Sequence, residues 1–244
     1  MKIRQTTGKT AGSRKREKTI GEMGKETEKV MKNEKQMSCV DCRASACEKE
    51  NPVFPPFCTT LQMSPELVDE ALKCYEEKEN HKVMAAAAEV EYEHYCQYTR
   101  VEEIIAFAEK IGAKKLGIAT CVGLLREAGT LAKILRAHGF EVFGVSCKAG
   151  AVRKTSVGIP KECEELGCHM CNPILQAKML NEQKTDLNLV VGLCVGHDSM
   201  FYKYSEALVT TVVTKDRVLG HNPAAALYNA ESYYKKKLFG ESKK

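Results

Sequence analysis

Short apolar segments alternate with amphipathic ones through the second half of the chain. Each apolar segment has the length of a strand, and together they are Lys115–Cys121, Phe140–Cys147, Leu187–Cys194 and Ala207–Thr214. The segments between them, such as Val122–His138, carry apolar residues at helical spacing. Near-continuous apolar strands that alternate with helices are typical of a parallel sheet covered on both faces. We therefore predict a three-layer α/β domain over residues 113–240.

A helical segment is predicted over residues 64–112. Its first helix begins at Ser64-Pro65-Glu66, which combines an N-cap residue with proline at the first helical position. A second helix is predicted over 81–98, and a third from Thr99 to Gly112. The first helix should bury the apolar face formed by Leu67, Val68, Ala71, Leu72 and Tyr75. After the last strand, Asn222-Pro223 opens a helix predicted to run to about residue 237.

Four cysteines are concentrated in residues 38–63, ahead of these helices. Their spacing is Cys39-x2-Cys42-x4-Cys47-x10-Cys58, and prolines among them prevent regular helix. A Cys-x2-Cys pair directs two thiolates to one metal, and two further cysteines complete four-coordination. Sulfur ligation suits zinc or an iron–sulfur cluster, and spacing does not choose between them. A metal knuckle is predicted; a proline-rich loop with incidental cysteines is the alternative.

A second group of cysteines follows the predicted strands. Cys121, Cys147 and Cys194 each close a strand, and Cys171 directly precedes the Asn172-Pro173 helix cap. Because the carboxyl ends of parallel strands meet at one edge of the sheet, these residues should gather there. Helix N-termini near a thiol favour the thiolate. The set predicts a second thiolate-rich metal site or a catalytic site, against the alternative that these cysteines are buried small apolar residues.

Histidines and charged residues accompany the strand-end cysteines. We assign His197, Asp198 and His221 as cofactor-binding candidates at this edge, near Lys148 and His169. A run Cys163-x4-Cys168-x2-Cys171 competes with the strand-end set for its last cysteine. Neither a Walker loop nor a dinucleotide-binding glycine motif is present, which argues against a kinase or a nicotinamide dehydrogenase.

The net charge of +5 comes from the first 36 residues of the 244. They hold eleven lysines and arginines against five glutamates, so the remainder carries a net −1. Low hydrophobicity predicts a disordered basic tail over residues 1–37, or a translation start at Met31 or Met37 instead. Without aromatic residues to stack on bases, this tail does not predict a nucleic-acid partner. No secretion signal or membrane-spanning segment is recognised, so a cytoplasmic protein is expected.

The residues quoted so far resemble a known family, that of uncharacterised, predicted metal-binding proteins of archaea and bacteria. The resemblance spans roughly residues 38–230. It is carried by Cys39-x2-Cys42, residues 99–125, Cys171–Ala177 and residues 191–228, which begin Val-Gly-Leu-Cys-Val-Gly-His-Asp. It implies metal binding through the cysteines and no established reaction. The matching positions are Cys39, Cys42, Cys47, Cys58, Cys121, Cys147, Cys171, Cys194, His197, Asp198, Asp216, Arg217, His221 and Asn222.

Three functional hypotheses follow. The first is a metal-binding protein that holds zinc or an iron–sulfur cluster at the 38–63 knuckle and at the sheet edge. The second is an iron–sulfur or cysteine-dependent enzyme for redox or group-transfer chemistry, with its site at Cys121, Cys147, Cys171, Cys194 and His197. A structural-zinc binding or sensor module is the third. A metal ion and a small-molecule substrate are the expected partners, and enzymatic activity is left open.

Overall fold

Four parallel strands form the sheet that organises the larger part of the molecule. In chain order they are β1 (Lys115–Thr120), β2 (Glu141–Ser146), β3 (Leu187–Val191) and β4 (Leu208–Val213). Their spatial order is β2-β1-β3-β4, and every pairing is parallel. The predicted α/β class with a parallel sheet is confirmed. Strand order reverses between β1 and β3, so the loops that leave these two strands diverge and open a crevice between them.

The computed structural model describes residues 37–240, and the basic tail predicted over residues 1–37 lies almost wholly outside them. The described chain divides into two compact units, one that ends at Lys73 and one that begins at Cys74. No helix within residues 37–240 is long and apolar enough to cross a membrane.

Helices in the second unit cover both faces of the sheet. After α2, which is described below, they are α3 (Lys78–His94), α4 (Arg100–Lys110), α5 (Leu125–Ala137), α6 (Pro173–Glu182), α7 (His197–Tyr204), α8 (Ala224–Tyr228) and α9 (Lys235–Phe239). Apolar residues of α4 and α5 pack with Leu116, Ile118 and Leu189 on one face. On the other face, residues of α6 and α7 pack with Ala119 and Val190. Alternation of side chains along each strand therefore supplies both cores.

Two details of the helices differ from the predictions. The segment that becomes α7 was not predicted as helix, because it begins with polar residues and buries only Phe201. The helix predicted after Asn222 is interrupted, since α8 ends at Tyr228 and α9 begins at Lys235.

The first unit is described from residue 37. It contains short 3₁₀ turns at Cys39–Asp41 and Ala46–Glu48, then α1 (Thr59–Gln62) and the start of α2 (Pro65–Cys74). No residue of α2 is buried, so the prediction that its apolar face is covered was wrong for the described chain. A periodic apolar pattern indicates that a face can pack, but it does not supply a partner.

A buried glutamine connects the ends of two strands to α6. Gln176 is fully buried, and its side-chain amide donates to Thr120 O at 3.1 Å and Val145 O at 2.7 Å. Both carbonyls lie at the carboxyl ends of their strands. One side chain thereby sets the positions of β1, β2 and the start of α6 relative to one another.

A second buried polar residue, Asn188, is the second residue of β3 and has no exposed surface. It accepts a hydrogen bond from Thr185 Oγ1 and donates one to Ser205 Oγ, both at 2.8 Å. Gly117 of β1 faces it, and a Cβ there would lie 2.0 Å from Asn188 Oδ1. A buried polar side chain that loses its partners is costly, so this position requires glycine.

We predict that Gly117→Ala lowers the free energy of unfolding by about 1–3 kcal/mol, the usual cost of overpacking a core. Gly129→Ala is the matched control, because nothing lies within 4 Å of its Cβ position on α5. That control should stabilise the protein by roughly 0.5–1 kcal/mol. Chemical denaturation monitored by circular dichroism measures both. Equal stabilities for the two variants would contradict the packing described here.

Candidate functional site

Cysteines gather at the carboxyl edge of the sheet, as the strand register requires. Cys121 and Cys147 directly follow β1 and β2, and their backbone N–H groups continue the ladder to Val191 O (3.1 Å) and Thr120 O (2.8 Å). Both side chains are buried, at 8% and 3% exposure. Cys194 lies in a loop instead of closing its strand, because β3 ends at Val191 and the chain turns at Gly192 with a φ of 65°. The predicted strand end was therefore three residues too late.

Cys147 and Cys171 form a contacting pair. Asn172 N donates to Cys147 O at 2.8 Å, which holds the backbone before α6 against the end of β2. The two sulfurs are hydrogen-bonded to each other. Cys147 Sγ also accepts a hydrogen bond from Val122 N at 3.3 Å. The long loop between the two cysteines thus returns to the residue from which it left.

Backbone hydrogen bonds tie this loop together near its two ends. Met170 N donates to Val152 O and Lys154 N donates to Cys168 O, both at 2.9 Å. Arg153 and His169 form an antiparallel bridge between these bonds. This pairing fixes the backbone of Cys171 opposite that of Cys147.

The two thiols of the pair have opposite acidities. A hydrogen bond with Cys147 lowers the pKa of Cys171 to about 5, and electrostatic interactions with Lys148 and His197 act in the same direction against burial. Lys148 Nζ is held in place by His169 O at 2.6 Å. The pKa of Cys147 is raised, because its thiol donates to Cys171 and because burial disfavours its charge. The pair therefore shares one proton, which resides on Cys147 at neutral pH.

Cys194 has a cationic partner. Arg217, beyond the end of β4, donates from Nη2 to Cys194 Sγ at 3.0 Å. This hydrogen bond raises the pKa of Arg217, and the thiol groups of Cys121 and Cys171 add to the effect. Sequence analysis named Arg217 only as a position that matches the family resemblance. Its position just beyond the carboxyl end of β4, beside the other strand ends, was the signal that could have revealed this contact.

His197 and Asp198 open α7 at the same edge. Their backbone N–H groups donate to Cys194 O at 2.9 and 3.1 Å. Asp198 Oδ1 accepts from Ser199 N at 2.8 Å, which engages the carboxylate at the helix start. Nδ1 of His197 is buried and has no hydrogen-bond partner among residues 37–240. His197 therefore has a ring nitrogen to offer to a proton or a ligand.

His221 stabilises a turn. Its ring Nδ1 accepts a hydrogen bond from Asp216 N at 3.1 Å, and its backbone N–H donates to Asp216 O at 2.8 Å. Asp216 Oδ1 accepts in turn from Val218 N at 2.9 Å and Leu219 N at 2.8 Å. The predicted cofactor-binding role of His221 stays a prediction, and these contacts give it a structural role in holding the loop that carries Arg217.

The four cysteines of the first unit line one cavity of about 250 Å³. Cys39 Sγ lies 3.0 Å from Thr59 Oγ1. Hydrogen bonds from the side chain and backbone of Thr60, and from Leu61 N, lower the pKa of Cys58. The thiols thus share a space in which at least one of them is disposed to ionise.

Convergence on a single point is a stricter condition than sharing a cavity. Within residues 37–240, no group of three or more His, Cys, Asp or Glu side chains is arranged to hold a metal ion. The four thiols of the first unit are suitable ligands for zinc or an iron–sulfur cluster. In this conformation, however, their sulfurs do not converge on one point. At the sheet edge the sulfurs occur as the contacting pair Cys147–Cys171, with Cys194 bonded separately to Arg217.

We predict that alkylation of Cys171 by iodoacetamide titrates with a midpoint near pH 5, since the thiolate is the reactive form and free cysteine ionises near 8.5. Reactivity should be nearly complete at pH 7 and lost below pH 5. Lys148→Met should move the midpoint upward by removing a stabilising charge. Peptide-resolved mass spectrometry of alkylation rates provides the profile, with exposed Cys163 as internal reference. Coinciding profiles for Cys163 and Cys171 would refute the acidity described above.

Comparison with known proteins places the chain in a family. The family model described as protein of unknown function (DUF1847) matches residues 58–212. An uncharacterised protein of Methanocaldococcus jannaschii is 43% identical over 202 residues, which cover 83% of this chain and 98% of the relative. Neither description names a metal, so the metal binding implied by the resemblance stays a prediction. With the sheet-edge cysteines inside the matched range, the chain belongs to the DUF1847 family of proteins of unknown function.

Proposed function

We propose that the protein is a thiol–disulfide oxidoreductase that works through Cys147 and Cys171. The observation that carries this proposal is the contact between one acidic and one proton-bearing sulfur at the carboxyl edge of the sheet. Thiol–disulfide exchange needs a thiolate that attacks and a neighbouring thiol that resolves the mixed disulfide. Cys171 is partly exposed and has the acidity of an attacking thiol, whereas Cys147 is buried directly beside it.

The reaction takes place in two exchanges. The Cys171 thiolate attacks a substrate disulfide RS–SR′, which forms the mixed disulfide Cys171–S–SR and expels R′S⁻. The released thiolate takes the proton of Cys147, and the Cys147 sulfur then attacks the Cys171 sulfur. A Cys147–Cys171 disulfide forms and RS⁻ leaves. Two electrons pass from the protein to the substrate, so the products are R′SH and RS⁻.

Neighbouring groups assist each exchange. Lys148 holds its ammonium at Cys171 through the carbonyl of His169, which stabilises the attacking thiolate before reaction. The N–H of Val122 points at Cys147 Sγ, where it stabilises negative charge as that thiol loses its proton. His197, with an unpartnered buried nitrogen among the described residues, is the group beside the pair that can exchange protons with it.

We predict that Cys147→Ser traps a mixed disulfide on Cys171 after treatment with 2-hydroxyethyl disulfide, because the thiol in contact with Cys171 is removed. The wild-type protein should instead form the Cys147–Cys171 disulfide, and Cys171→Ser should do neither. Intact and peptide mass spectrometry distinguishes these products. Cys163→Ser, which alters an exposed thiol, is the control and should behave like the wild type. The proposal would be wrong if the oxidised wild-type protein contained disulfides but none between Cys147 and Cys171.

Metal binding by the first unit is a second candidate function. It is favoured by the cavity that Cys39, Cys42, Cys47 and Cys58 line together. A bound zinc ion or iron–sulfur cluster would supply a cross-link or an electron-transfer centre there. Because the sulfurs do not converge as they stand, binding requires this loop to close around the metal, which couples affinity to folding of the segment.

We predict that the reduced protein binds cobalt(II) with a tetrahedral thiolate spectrum, and that Cys39→Ser/Cys42→Ser removes it. A double variant of two other exposed cysteines, Cys96→Ser/Cys163→Ser, controls for the loss of thiols and should keep the spectrum. Titration is followed by absorption under anaerobic conditions. Absence of any cobalt spectrum in protein with intact thiols would rule out the metal knuckle.

A further inference from the structure

Cationic groups dominate the surroundings of the reactive sulfur. In the described chain, the groups that act on Cys171 are the thiol of Cys147, the ammonium of Lys148 and the imidazole of His197. Arg217 adds a guanidinium on the β4 side, close enough for its charge to interact with Cys171. Lys148 and Arg217 come from the loops after two different strands, which converge because the strands are parallel. A single thiolate charge at Cys171 does not neutralise both.

Acidic residues of the neighbouring loops are engaged elsewhere. Asp216 accepts the backbone N–H groups of Val218 and Leu219, and Asp198 accepts that of Ser199. Ion pairs within residues 37–240 do not include Arg217 or Lys148. Within residues 37–240, no carboxylate therefore pairs with Lys148 or Arg217, and the Arg217 guanidinium is open to an anionic ligand.

Arg217 is the cation best placed to receive such a group. Its side chain is exposed, and among residues 37–240 it donates one side-chain hydrogen bond, at 3.0 Å to Cys194 Sγ. A guanidinium has five N–H donors, and two parallel ones match the oxygens of a carboxylate. The turn that carries Arg217 is fixed from behind by the ring of His221 and the carboxylate of Asp216. The guanidinium is thus held at the site before a substrate arrives.

We infer that the site selects low-molecular-weight disulfides that bear carboxylates, with Arg217 binding the carboxylate while Cys171 attacks the disulfide. This inference rests on the proposed thiol–disulfide function and specifies its substrate class. Cys171 is partly buried between the loops, so a small disulfide reaches its sulfur more readily than one within a folded protein. Attraction between the cations and the anionic substrate raises the encounter rate and weakens as salt screens it.

Three disulfides of similar size and different charge test the inference. They are 3,3′-dithiodipropionate, 2-hydroxyethyl disulfide and cystamine, which are anionic, neutral and cationic. The rate of oxidation of the Cys147–Cys171 pair is measured for each and divided by the rate for free glutathione, which removes differences in intrinsic reactivity. We expect the anionic disulfide to exceed the neutral one by on the order of tenfold at low ionic strength. The cationic disulfide should be slowest, and added salt should reduce all these differences.

Charge variants identify the binding residue. Arg217→Gln should lower the rate for the anionic disulfide several-fold more than the rate for the neutral one, and Arg217→Lys should retain part of the preference. Arg136→Gln makes the same charge change at the opposite edge of the sheet, where Arg136 bonds to Val142 O, and should keep the full preference. An equal loss for all three disulfides in Arg217→Gln would overturn the assignment, since it would mark a purely structural role.

Failure of the inference is distinguishable from failure of the function. Equal normalised rates for the anionic and neutral disulfides, without salt dependence, would overturn the substrate class while the oxidoreductase function stands. If none of the three oxidises the Cys147–Cys171 pair faster than it oxidises free glutathione, the function itself is overturned, and the substrate class with it.

Discussion

The side-chain amide of Gln176 is the contact on which the geometry of the site depends most. Its two N–H groups bridge carbonyls at the ends of β1 and β2 from within α6, in a position with no exposed surface. Cys121 and Cys147 are the next or next-but-one residues after those carbonyls, and Cys171 lies just before α6. Loss of the Gln176 amide would remove a buried hydrogen bond from each carbonyl and leave Thr120 O with its bond from Cys147 N, which would weaken the link between the strand ends and α6. The relative positions of three sulfurs thus follow from a residue that carries out no chemistry.

Sheet topology then decides which loops meet. Order β2-β1-β3-β4 sends the connections after β1 and β3 to opposite sides, and the sulfurs lie along the edge where they separate. Electrostatics completes the site, because buried thiols alone would stay protonated. A hydrogen bond with Cys147, together with electrostatic interactions with Lys148 and His197, holds the pKa of Cys171 well below that of an ordinary cysteine. Apolar burial therefore determines the fold, whereas hydrogen bonds and charges at the sheet edge determine the reactivity of the thiols. The two can be altered independently.

Much of this architecture could be predicted from the sequence, and the reasons are local. Apolar runs of strand length mark β1 to β4, and a cysteine directly after β1 or β2 is placed at the edge by strand register alone. The Cys147–Cys171 contact could not be predicted, since it depends on hydrogen bonds in a loop that has no periodic pattern, such as Asn172 N to Cys147 O. Helix α7 was missed because its polar start conceals a single buried anchor, Phe201. Spacing likewise could not show whether the sulfurs of Cys39, Cys42, Cys47 and Cys58 converge on one point. It specifies the type and order of the ligands but not the distances between them.

The backbone hydrogen bonds that tie the loop between Cys147 and Cys171 have a consequence for the energetics of oxidation. The backbone N–H groups of Asn172, Met170 and Lys154 already fix the chain near both sulfurs, so we expect disulfide formation to require little movement of the main chain. A disulfide stabilises chiefly by restricting the unfolded chain, so the oxidised form should resist unfolding more strongly while its folded backbone stays the same. A partner that recognises the shape of the protein would then bind the oxidised and reduced forms equally well. The protein would store or release two electrons without reorganisation, as a carrier does and a conformational sensor does not.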